Sequence, residues 1–197
     1  NDDILGEILE YIHKPPHPTI LTDFKDGCGI EFPILSDRCD IGIPLLLYTD
    51  EFEVCNPIGS ARTKHKLAAV YFTLACLPPS LRSRRRYIFL NALIPDRARK
   101  SLGYDKVFSN LIEDLRNLYS NPIKLSNGSL VCAKVVAFCG DSLSAHALGG
   151  LQGSFSSEYI CRFCYCSYGD VSNIFLESQC LLRTIESLYE DIDAAEQ

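Results

Sequence analysis

Apolar residues recur along this chain in two different rhythms, and the change of rhythm predicts its elements. Over 43–54 they form a nearly continuous run, Leu45-Leu46-Leu47-Tyr48-Thr49, closed by Asp50, which reads as a buried strand. A second strand is predicted over 65–76, where Leu67, Ala69, Tyr71 and Thr73 alternate with Ala68, Val70, Phe72 and Leu74 until Pro78-Pro79 stops the run. A third, over 86–94, ends at Pro95. The period then lengthens. Val107, Leu111, Leu115 and Leu118, with Phe108 and Ile112 beside them, repeat at helical spacing, so 105–119 is an amphipathic helix with Asp105 as N-cap and Asn121-Pro122 as its stop. A fourth strand follows over 130–139, closed by Gly140-Asp141, and a helical stretch comes after it. At the front, Ile4, Leu5, Ile8, Leu9 and Ile12 mark a short helix that Pro15-Pro16-His17-Pro18 ends. The whole stretch 1–41, helix included, reads as a lead-in segment rather than core.

The order strand, strand, strand, helix, strand has a topological consequence. Three strands joined by short turns form an antiparallel meander, and the helix then returns the chain so that the fourth strand pairs parallel with the first. That is the α/β arrangement of the ribonuclease-H-like fold, a mixed sheet over 42–158. Asp50 and Asp141, closing the first and fourth strands, meet at one end of such a sheet, where two close carboxylates call for a cation between them. After the core come a small cysteine-containing appendage at 159–180 and an acidic helix at 181–197.

Composition narrows the class. Hydrophobic residues at 47% with 22% charged indicate a folded chain, and no apolar run approaches the ~20 residues that cross a bilayer, so no membrane partner is expected. The chain starts at Asn1, contains no Met, and reads as part of a longer protein. Ten scattered cysteines, several inside apolar runs (Cys76, Cys132 and Cys139), suggest buried free thiols in a reducing compartment. The net charge of −6 excludes a histone-like DNA binder. Basic residues nevertheless gather locally, as Lys64 and Lys66 in one place and Arg82, Arg84, Arg85 and Arg86 in another, which suits a protein that touches phosphate at one site only.

Several of these pieces occur in a familiar order. Tyr48-Thr49-Asp50-Glu51-Phe52-Glu53-Val54-Cys55-Asn56-Pro57-Ile58-Gly59-Ser60 is followed by Leu77-Pro78-Pro79, by Asn110-Leu111-Ile112-Glu113-Asp114-Leu115, by Gly140-Asp141, by His146-Ala147-Leu148-Gly149-Gly150 and by Cys161-Arg162-Phe163-Cys164. The set, spanning roughly 45–166, resembles transposases of the CACTA (En/Spm-like) group and their relatives in animal genomes. The resemblance implies a nuclear, cut-and-paste DNA transposase, homo-oligomeric in its active complex, with an acidic triad holding Mg²⁺ or Mn²⁺. Asp50 matches the first catalytic aspartate and Asp141 the second. The third acid has no match here, so the active site is expected to be incomplete within these residues. A transposase-derived DNA-binding or interaction protein that no longer cuts is the alternative. An unrelated nuclease of the same fold fits the ordered motifs and the cysteine pair less well.

The remaining candidates carry their own chemistry. Cys161-x-x-Cys164 is half of a zinc-knuckle pattern, with Cys166, Cys180 or His146 as candidate partners for Zn²⁺. His146 is also a candidate to support the aspartate site from behind its ligands, or a satisfied helix histidine. Gly149-Gly150 ends a helix or lets backbone approach a ligand. Arg82, Arg84, Arg85 and Arg86 follow a Pro-Pro turn with their guanidinium groups expected to be free for DNA backbone contact, and Lys64 and Lys66 share one face of their strand. Glu51 and Glu53 share the face that Asp50 does not, and a structural or solvated role is expected for both.

Overall fold

The apolar runs become strands β1 (Ile41–Glu53), β2 (Lys66–Leu74) and β3 (Phe89–Pro95), then a two-residue β4 (Ile123–Lys124) and β5 (Leu130–Gly140). The helices are α1 (Asp2–His13), α2 (Pro79–Arg82), α3 (Asp96–Ser120), α4 (Ser142–Leu148) and α5 (Ile185–Ala195). This computed structural model describes residues 2–15, 17, 19–23, 26, 39–54, 66–151 and 158–195. The turn expected at 56–59 and the candidate Lys64 lie outside the described residues.

The strands form one sheet in the order β3-β2-β1-β5-β4, five where the apolar runs predict four. β2 runs antiparallel to both β1 and β3, and β4 is antiparallel to β5. β1 and β5 start side by side. The amide of Asp40 donates to the Leu130 carbonyl at 2.8 Å and the amide of Leu130 donates to the Asp40 carboxylate at 2.7 Å. Neighbouring strands that begin together run the same way, so β5 is parallel to β1 and the sheet is mixed, as the element order requires.

A disulfide between Cys39 and Cys132, 93 residues apart in sequence, clasps the same two strand starts. This corrects the reading of Cys132 as a free thiol; Cys76 and Cys139 are free, as expected. Cys132 sits inside an apolar run because its strand is buried, and a run of that kind is silent about what meets the sulfur from another strand.

Two apolar clusters of buried residues build on the sheet. In one, Leu47, Ala68, Val70 and Ile94 pack with Phe72 and Ala92 against Val107, Phe108, Leu111 and Leu115 of α3. Burying each large aliphatic side chain contributes roughly 2 kcal/mol. In the other, Ile8 and Ile12 of α1 pack on Cys76, Leu77 and Tyr87. The front of the chain therefore belongs to the core, contrary to its reading as a lead-in.

α3 is longer than its periodic stretch, beginning at Asp96 rather than 105. Gly103, at φ 77° and ψ 168°, breaks it into two helical segments, and the hydrophobic period belongs to the second. Asp96 opens the first segment and pairs with Arg99 at 2.5 Å and Lys100 at 2.7 Å, one turn on.

The chain divides into two compact units, 1–139 and 140–197. The division falls at the end of β5, ahead of residue 158. No helix among the described residues is long and apolar enough to cross a membrane.

Candidate functional site

Asp50 stands near the end of β1, opposite Ala69 of β2, and its side chain is exposed. Its neighbour Thr49 turns inward, buried, with its hydroxyl donating to the Ala69 carbonyl at 3.3 Å. Strand alternation thus puts Asp50 on the face that Tyr48 also occupies. Tyr48 stacks on Tyr71 across the strand pair, ring centroids 5.3 Å apart. Burial first, then the nearby Cys139 thiol of β5, pushes the Tyr48 phenol above its ordinary pKa. On this face a cavity of about 300 Å³ opens between Tyr48, Tyr71, Thr73, Arg82 and Ile88; Asp50 does not line it.

Glu51 faces the other way and forms an ion pair with Arg99, which also bonds Asp96 and donates to the Tyr104 hydroxyl at 2.7 Å. The structural role expected of Glu51 is met. Glu53 lies opposite Lys66 in register, and Lys66 is half-buried.

Asp141 follows the last residue of β5 and caps α4. Its carboxylate accepts from the Ser144 amide at 2.7 Å, and that bond with a second from the Ser144 hydroxyl holds its pKa below the usual carboxylate value. Repulsion between two like-charged carboxylates raises the pKa of at least one. At Asp141 the shift is downward instead, and no neighbouring carboxylate is among its causes. The side chain is exposed and, at neutral pH, firmly ionised.

His146, buried in α4, directs both ring nitrogens at backbone carbonyls. Nδ1 lies 2.5 Å from the Ser142 oxygen and Nε2 3.0 Å from that of Ile160. Both nitrogens are thus engaged by backbone, which fits the reading of a satisfied helix histidine. The helix ends at Gly149 and Gly150, the latter at φ 71°.

The basic run splits in two. Arg82 is not a surface arginine: its guanidinium forks onto Asp23, Nη1 to Oδ1 at 2.9 Å, and Nη2 also donates to the carbonyls of Ala75 at 3.0 Å and Leu77 at 2.9 Å. Tyr11 donates to the same aspartate. This corrects the expectation that the Arg82 guanidinium is free for DNA. Arg84, Arg85 and Arg86 are exposed on the short 3-10 turn that follows α2, with Arg86 held 4.6 Å over the Tyr87 ring.

The cysteine segment is built from short backbone pairings. Tyr159 bridges Ser167, with the Tyr168 amide donating to Glu158 at 2.8 Å, and this closes a loop holding Cys161, Cys164 and Cys166. Residues 163–165 pair with 181–183 through the Cys164–Leu182 bridge, Tyr165 N–H to Leu181 at 2.9 Å and Arg183 N–H to Phe163 at 2.9 Å. Cys180 is thereby carried to the loop. The Phe163 amide donates to the Cys161 sulfur at 3.3 Å. Burial, foremost, pushes the Cys164 thiol up to about 11. Burial also opposes ionisation of Cys161, but the amides of Phe163 and Cys164 outweigh it and bring that thiol below its ordinary value. Arg183, which the sequence offered no reason to select, donates to the Cys161 carbonyl at 3.3 Å and lies 4.1 Å over the Tyr165 ring. As they stand, no three His, Cys, Asp or Glu side chains among the described residues are arranged to hold a metal ion.

Comparison with known proteins found no family model that matches the chain and no curated protein that matches it.

Proposed function

We propose that this chain carries part of a ribonuclease-H-like, metal-dependent catalytic core for DNA strand cleavage and transfer, as in a cut-and-paste transposase working in the nucleus as a homo-oligomer on transposon-end and target DNA. The observation that supports it most is the run of β1 and β5 as parallel neighbours, joined at their starts by Asp40 and Leu130. Asp50 stands near the end of β1 and Asp141 directly after the last residue of β5. In the proposed reading both carboxylates supply oxygen ligands to Mg²⁺ or Mn²⁺, hard cations that favour carboxylate and water. The metal would activate water or a 3′-hydroxyl and offset charge at the leaving oxygen. The low pKa of Asp141 keeps it in the anionic form a cation requires.

The cap at Ser144 favours a second reading, because it accounts for Asp141 without any metal. In that reading the protein is derived from a transposase and binds DNA without cutting. Asp141→Asn separates the two, since Asn caps a helix about as well as Asp while removing the anionic ligand. The proposal expects Asp50→Asn and Asp141→Asn each to abolish Mn²⁺-dependent strand cleavage by the whole protein, with DNA affinity and melting temperature nearly unchanged. Cleavage that survives either substitution removes these carboxylates from the reaction, and tight DNA binding with no cleavage by the unsubstituted protein establishes the second reading.

A further inference from the structure

The segment 158–194 has no hydrophobic centre: its only buried residues are Cys164 and Cys166, while Phe163, Tyr168, Phe175, Leu176, Leu181 and Ile185 are exposed. Its elements are two 3-10 turns, isolated bridges and one helix. Small segments without a core are ordinarily held by disulfides or by a metal. Yet all four of its cysteines are free thiols that converge from both sides of the 163–165/181–183 pairing.

We propose that Cys161, Cys164, Cys166 and Cys180 form a structural zinc site, with all four ligands drawn from this segment and none from His146. The N–H···S bond from Phe163 to Cys161 runs from the residue two positions after the sulfur. That is the turn geometry in which a C-x-x-C loop presents sulfur to a metal while its amides support negative charge. Cys164 pairs with Leu182 across the bridge, which sets Cys180 two residues from the partner of Cys164, and Zn–S bonds of roughly 2.3 Å require the four sulfurs to close on one point. Two side chains must turn to complete the set. The Cys166 thiol points at the Ser167 carbonyl at 3.4 Å and the Cys180 thiol at that of Glu177 at 3.3 Å, weak S–H donors that one χ1 rotation releases. Zn²⁺ then replaces four thiol protons, which pass to solvent, and leaves a centre of charge −2. The guanidinium of Arg183, fixed beside Cys161 by its bond to the Cys161 carbonyl and its 2.8 Å ion pair with Asp191, offsets part of that charge.

Titration of the reduced chain with zinc, and separately with Co²⁺ as a spectroscopic probe, tests the site. The expected result is one metal per chain, proton release on binding, sulfur-to-cobalt charge-transfer absorption of a tetrahedral tetrathiolate, and protection of these four cysteines from alkylation. Cys166→Ser and Cys180→Ser should each weaken zinc binding at least tenfold and alter the cobalt spectrum. Unchanged affinity in either variant overturns the ligand set. Failure of the unsubstituted chain to take up metal, or uptake without proton release, overturns the site, whatever the variants do. The readout is independent of strand cleavage: zinc bound here by a protein that cuts no DNA counts against the proposed function and not against this site.

Discussion

Arg82 shows how little a basic cluster says about any one of its members. It sits among exposed arginines in sequence, yet its side chain is 13% exposed and that of its partner Asp23 is 8% exposed. Its fork satisfies two carbonyls at the end of β2 as well as the carboxylate, so it ties α2 to residues on either side. Burial alone works against the charge, but the hydrogen bonds and charge of Asp23 outweigh it and the guanidinium pKa is raised. Removing one member of a buried pair strands the other without solvent. Arg82→Ala should therefore cost roughly 3 kcal/mol in urea denaturation, by the usual penalty for breaking such pairs. DNA affinity of the folded variant should be unchanged. Weakened affinity with full stability would return Arg82 to the phosphate-binding set.

At the scale of elements, Gly103 decides where α3 bends. Its φ of 77° with ψ of 168° is a backbone region reserved for glycine, and a Cβ built there meets nothing within 4 Å. Strain and packing are thus cleanly separated: Gly103→Ala should destabilise by about 1–3 kcal/mol through backbone conformation alone, measured by thermal melting. A neutral or stabilising result would mean that the two helical segments straighten into one. The same glycine explains what is legible in the sequence. Val107, Leu111 and Leu115 repeat because they pack on the sheet, so the second segment is readable, whereas 96–102 packs little and carries no such signal. The strands are readable from Leu45–Leu47 and the alternation at 67–74, and the parallel pairing of β1 with β5 follows from element order. The Asp40–Leu130 and Cys39–Cys132 links are not, because they join residues about ninety apart with no local pattern to mark them. The cysteine loop is half-readable: C-x-x-C spacing marks a turn, but the approach of Cys180 is set by backbone pairing at 181–183.

For the whole molecule, charge limits how DNA can be held. With a net charge of −6, long-range attraction to a polyanion is absent and binding must rest on local cations. Arg84, Arg85 and Arg86 form such a place, exposed and carried on a 3-10 turn whose backbone is fixed by Arg84 N–H to Leu81 and Tyr87 N–H to Arg84, both at 2.9 Å. Each phosphate neutralised by a cation contributes about 0.9 to the slope of log affinity against log salt, through release of condensed counterions. The triple substitution Arg84→Ala, Arg85→Ala and Arg86→Ala should therefore weaken DNA binding about equally across sequences and make the salt dependence less steep by about 0.9 for each phosphate that these arginines neutralise. Fluorescence anisotropy over a salt series reads both quantities at once. Because these side chains project from a turn rather than the core, the melting temperature should hold, which distinguishes this outcome from unfolding. A salt slope that does not change would place the phosphate-binding surface elsewhere on the molecule.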